Sequence, residues 1–182
     1  MTKRIFGALA LTLVFGATAS FEANAQTKKK TAAPAASTAP KKVGSHGKWD
    51  VYVQAGKTKM CYALAKPTKR APANLKDTDA FVFISMRPAQ NVRNEVAIKM
   101  GFELKPDSRA TVTIGAAKFT MVANGTDLFV ENAAEERTFV AAMRKASELV
   151  VRATSKRGND TQDNYSLTGV SPALEDMQKA CK

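Results

Sequence analysis

Histidine is almost missing from this 182-residue chain, which has one, His46, and cysteine is scarce, with only Cys61 and Cys181. One histidine leaves no H-x-x-H metal pair and no second imidazole for a relay, and two distant cysteines leave no C-x-x-C redox or zinc motif. The chain also has no G-x-S-x-G elbow, no phosphate loop and no dinucleotide fingerprint. Its acids are few, 16 against 28 lysines and arginines, and they do not reach the density of oxygen ligands that a calcium loop needs. Long apolar runs are absent too. The most hydrophobic stretch, from Ile5 to Phe15, is well short of the roughly 20 residues that span a bilayer. These absences point away from an enzyme, and no cofactor or metal is expected.

What the N-terminus holds is the grammar of a secretory signal. Lys3 and Arg4 precede the apolar run, and small residues ending Ala23-Asn24-Ala25 make an A-x-A site before Gln26. Residues 1 to 25 are therefore expected to be cleaved, leaving a periplasmic or secreted chain of one-domain length. Cleavage removes Lys3, Arg4 and Glu22, which lowers the formal charge of +12 by one.

Residues 26 to 45 are alanine, lysine, threonine, serine and proline with almost nothing to bury, and read as a disordered basic tether. Its lysines, Lys28, Lys29, Lys30, Lys41 and Lys42, together with Arg152, Lys156 and Arg157 further on, make a candidate patch for an anionic partner. A protein, a lipid headgroup with peripheral membrane association, or a glycan would each suit it. Nucleic acid is not expected, because there is no helical basic stripe or stacking-aromatic cluster and an exported protein rarely meets it. Arg109, Lys99 and Lys105 make a second basic group. Charges on exposed strand edges also serve to block edge-to-edge aggregation. The sequence does not give the oligomeric state.

From residue 46 to 182 short β-branched and aromatic runs alternate with turn formers, which predicts one mainly β domain, a β-sandwich or a partly open barrel. Strands are expected at residues 49–54 and 60–65 as a hairpin, at 80–86 in a central position, and at 94–100 and 109–114. Residues 118–122 and 127–130 flank the turn signal Asn124-Gly125. Residues 134 to 147 switch to helical period, with Phe139, Val140, Met143 and Ala146 on one face. Strands at 148–155 and 165–168 follow. A short C-terminal helix then opens with Ser171 as N-cap and Pro172 at the first helical position. The two cysteines allow one intramolecular bridge, which export permits, and Cys61–Cys181 is expected as structural. His46 reads as an incidental exposed residue. The remaining enzymatic reading needs a site assembled from scattered residues such as Ser85, Asp127 and Arg152, and requires them to share a pocket.

Several of these segments together are similar to a known set: Gly47-Lys48-Trp49-Asp50-Val51, Cys61 in the next strand, Phe139-Val140-Ala141-Ala142-Met143, Ser155-Lys156-Arg157-Gly158, Tyr165 through Ala173, and the terminal Cys181. The chain resembles the invasion-associated locus B family of alphaproteobacterial exported proteins over residues 46 to 182. The resemblance implies a compact β-rich domain, export and, in some pathogenic members, a link to host-cell invasion. It implies no catalytic or ligand residues. Many members also carry further cysteines at the end of the first strand and mid-chain, where this sequence has none.

Overall fold

The computed structural model describes residues 39–182; the signal segment and Lys28, Lys29 and Lys30 lie outside them. Eleven antiparallel strands form one sheet: β1 (Lys41–His46), β2 (Trp49–Gln54), β3 (Met60–Ala65), β4 (Lys69–Ala71), β5 (Phe81–Arg87), β6 (Val92–Lys99), β7 (Arg109–Ile114), β8 (Ala117–Asn124), β9 (Asp127–Val130), β10 (Glu148–Thr154) and β11 (Asp160–Ser166). Their order is β1-β2-β3-β5-β6-β9-β8-β7-β10-β11-β4. The ladder is continuous and does not close into a barrel, and the domain is mainly β, as expected. The curl shows where strands far apart in the ladder touch. Trp49 Nε1 on β2 donates to the Ser166 carbonyl at the end of β11, 3.1 Å away.

Alternation explains which residues fill the inside. Val82, Ile84 and Met86 of β5 are buried, as are Val96 and Ile98 of β6, Val112 and Ile114 of β7, and Leu149 and Val151 of β10. They join one contiguous core with Trp49, Leu128 and Tyr165. β5 lies between β3 and β6, the central place expected for its apolar run. Helix α1 (Glu136–Met143) buries Phe139, Val140 and Met143, and the Phe139 ring centroid is 4.7 Å from that of Phe119. It is shorter than the 134–147 expected, because residues 133–135 form a 3-10 turn and the helix ends at Met143. Helix α2 (Val170–Ala180) buries Val170, Ala173, Leu174 and Met177, one face at i, i+3, i+4 and i+7.

Three expectations change. The tether does not run to residue 45, since Lys41–His46 is a strand paired with β2, with a register shift between Lys42 and Gly44. The last strand is Asp160–Ser166 rather than 165–168. The N-cap of α2 is Gly169, not Ser171, and Ser171 and Pro172 fall inside the first turn.

The reason for that cap is a backbone clasp. Gly169 has φ of 93°, and a Cβ there would lie 2.1 Å from the His46 carbonyl oxygen; Gly47 has φ of 59°, and a Cβ there would lie 2.5 Å from the Thr168 carbonyl oxygen. Only residues without side chains let the β1–β2 turn and the start of α2 approach so closely. The sequence blocks around Gly47 and Gly169 thus meet as structure. Gly169→Ala is expected to destabilise the domain by about 1–3 kcal/mol, from left-handed backbone strain alone. The check is its denaturant midpoint beside that of Ser171→Ala, which leaves the clasp intact.

Candidate binding grooves

On β10, Val151 and Ala153 point into the core, so Arg152 and Thr154 face out. Register sets Arg152 beside Thr111 of β7 and Gln162 of β11. These side chains, with Arg109, Asp160 and Pro72, line a groove of about 600 Å³. A second groove of about 470 Å³ is lined by Lys156, Arg157, Asn74, Phe102 and Glu103 and shares Pro72 and Thr161 with the first. The turn that carries Lys156 and Arg157 is fixed by its own backbone. Gly158 N donates to the Ser155 carbonyl at 2.8 Å, Asn159 N to Ser155 Oγ at 3.1 Å, and Lys156 N to the Glu103 carbonyl at 2.8 Å.

Four cations against two acids make the joined lining basic. Arg109 is engaged, its Nε 2.9 Å from Glu131 Oε1, and this pairing holds the Glu131 carboxyl below the usual carboxylate range. Arg152, Lys156 and Arg157 have no ion pair among the described residues. Arg152 on the first groove and Lys156 and Arg157 on the second are free cations that can attract an anionic group.

The candidate patch divides accordingly. Arg152 lines the first groove and Lys156 and Arg157 the adjoining one, whereas Lys41 and Lys42 sit on β1 at the other end of the ladder and line neither. Lys42 Nζ is 2.7 Å from Asp50 Oδ1. Of the second basic group, Arg109 lines the first groove with Arg152, Lys105 N donates to the carbonyl of Thr154 on that groove at 3.0 Å, and Lys99 of β6 lies opposite Phe81 and Asp127 instead. Arg109 next to Arg152 was not readable in advance, because the pairing of β7 with β10 is non-local.

His46 is not an incidental exposed residue. Its Nε2 is 2.7 Å from Asp176 Oδ2 on α2, a contact that lowers the Asp176 pKa and ties β1 to the helix. Ser85, Asp127 and Arg152 do not converge. Ser85 Oγ donates to Glu95 Oε2 at 3.0 Å, Asp127 Oδ2 accepts from Thr126 Oγ1, and Arg152 alone of the three lines a described groove. Arg87 grips Glu95 with both terminal nitrogens at 2.7 Å, which pulls the Glu95 carboxyl down. Among the described residues no three His, Cys, Asp or Glu side chains gather as metal ligands. No described helix is long and apolar enough to cross a membrane. Cys61 of β3 and Cys181 after α2 are bridged, with Cα atoms 5.8 Å apart.

No protein-family model and no curated protein matches the chain. A solved structure does: the crystal structure of invasion associated protein B from Bartonella henselae superposes with a TM-score of 0.53 at 16% identity, covering 75% of this chain and 96% of that one. The likeness of coordinates is one of fold, and it falls on a bearer of the family name that the Gly47, Cys61 and Tyr165–Ala173 segments resemble. The chain therefore shares the fold of invasion associated protein B.

Proposed function

We propose that this chain is an exported, non-enzymatic envelope module of the invasion-associated locus B family, which holds an anionic partner in the basic grooves around Arg152 and Arg157. The observation that carries the reading is that Arg152 lines one groove and Lys156 and Arg157 the next, all three without an ion pair among the described residues, and that the two grooves share Pro72 and Thr161. Export is supported by the A-x-A site before Gln26 and by a disulfide of the kind that persists in oxidising compartments. A second reading, a secreted host-interaction factor, rests on the name of the structural relative, and accumulation in the culture medium is what it requires.

The test is envelope fractionation of the full chain beside two variants, Arg152→Glu/Arg157→Glu and a deletion of residues 26–38, which spares β1. At low ionic strength the charge reversal is expected to move most of the protein into the soluble fraction without lowering its melting temperature. Unchanged retention contradicts the proposal. So does release by the deletion alone, which assigns docking to the tether lysines.

A further inference from the structure

The solvent side of an antiparallel strand is ordinarily polar, but here one region of it is aromatic. Tyr52 of β2 stands directly opposite Tyr62 of β3, with ring centroids 5.2 Å apart and planes 12° from parallel. Tyr62 continues to Phe83 at 6.1 Å, and Phe83 to Phe81 at 5.6 Å, both on β5. Their strand neighbours Val51, Ala63 and Val82 are fully buried in the core. The four rings therefore lie on the outer face, where the domain's own packing does not require them. Aromatic side chains kept half in water are a cost that a ligand offsets.

A groove of about 780 Å³ opens over this face, lined by Tyr52, Tyr62, Leu64 and Phe81 and rimmed by Lys48, Lys66, Asp50 and Thr68. That volume lies within the range of ligand clefts. The rim offers both hydrogen-bonding signs. Lys66 Nζ sits 5.3 Å from the Phe81 ring centroid, and neither Lys48 nor Lys66 has an ion pair among the described residues. Asp50 Oδ1 takes the bonds from Ser45 and Lys42, while Oδ2 takes none among the described residues. Ring faces that accept an apolar C–H surface, acceptors and donors for hydroxyls, and free ammonium groups for a carboxylate are together the chemistry of an acidic sugar. A polyphosphate has no use for the rings. An acidic peptide strand seeks unpaired backbone at a sheet edge, and β2, β3 and β5 are all paired on both sides.

We propose that the outer face of β2, β3 and β5 binds a carboxylated saccharide, its ring against Tyr62 and Phe81 and its carboxylate on Lys66. The site is separate from the basic grooves and does not depend on them. The full chain is titrated with tetragalacturonate, and with maltotetraose as the neutral counterpart, by calorimetry and by NMR of the aromatic resonances. Tetragalacturonate is expected to bind and shift the Tyr52, Tyr62 and Phe81 signals, and maltotetraose to bind about tenfold more weakly. Tyr62→Ala and Lys66→Ala should each weaken tetragalacturonate by about tenfold or more, while Arg152→Glu leaves it unchanged. Lys66→Ala leaves the tyrosine pair and the core in place, so its effect is readable even if Tyr62→Ala lowers stability. Absence of millimolar binding overturns the proposal, as does binding indifferent to Lys66→Ala or abolished by Arg152→Glu. Self-association that Tyr62→Ala disrupts, with no saccharide binding, also overturns it and gives the face to a second copy.

Discussion

Replacing Arg70 with methionine is expected to lower the stability of the domain by about 3–5 kcal/mol, read as a fall in the denaturant midpoint at unchanged slope. Arg70 and Asp163 are 4% and 0% exposed and meet through two parallel bonds of 2.8 Å, from Nε and from a terminal nitrogen. The guanidinium also donates to the carbonyls of Leu75 at 3.0 Å and Met100 at 2.8 Å and to Thr78 Oγ1, and it lies over the Phe102 ring. One side chain thus joins β4, the loop that follows it and the end of β6 to β11. Burial pushes the Asp163 carboxyl up while Arg70 pulls it down, so losing the arginine strands a carboxylate in the core. The double variant Arg70→Met/Asp163→Leu should recover most of the loss, because the cost comes from the unpaired charge rather than from the absence of the pair. A double variant no more stable than Arg70→Met would show that the loss lies in the loop contacts instead.

Breaking the Cys61–Cys181 bridge is expected to have an effect of similar size. The two cysteines are 120 residues apart in sequence, and in the chain-entropy account a loop of that length is worth about 4–5 kcal/mol. The bridge also ties the last turn of α2 to β3, and Cys61 and Cys181 are 0% and 5% exposed. A Cys61→Ala/Cys181→Ala variant should melt at markedly lower temperature and lose amide protection first in the C-terminal turn of α2, whose N-terminal end keeps the Gly47–Gly169 clasp. Uniform loss of protection across the sheet would mean that the helix has no independent opening.

Most of the sheet was legible because inward residues are apolar, by alternation in β2 and by an unbroken apolar run in β5. β11 was not, since its buried positions are Thr161, Asp163 and Tyr165. Two of those three are polar, and Asp163 can face inward only because Arg70, 93 residues earlier, neutralises it. β1 was hidden for a different reason: KKVGSH contains one apolar side chain, Val43, which is 46% exposed, and the strand is held by its ladder to β2 and its packing on α2. The Ser171-Pro172 signal is a sound local cap, but the backbone contact with His46 stops the chain two residues sooner.

The candidate sites divide in the same way. Arg152, Lys156 and Arg157 could be picked out as charges close in sequence, yet their groove needs Arg109 from β7 and Pro72 from the loop after β4, which only non-local pairing supplies. Phe81 and Phe83 of the outer aromatic face lie within the 80–86 apolar run expected in a central position. In the fold the second side of that run meets solvent.

The central claim is an exported module closed by one disulfide, and intact mass of the protein purified from the envelope fraction, with and without reduction and alkylation, tests it most directly. The expected mass is that of a chain beginning at Gln26 and lighter than its dithiol form by two hydrogens. A chain that retains residues 1 to 25 and carries two free thiols would contradict it.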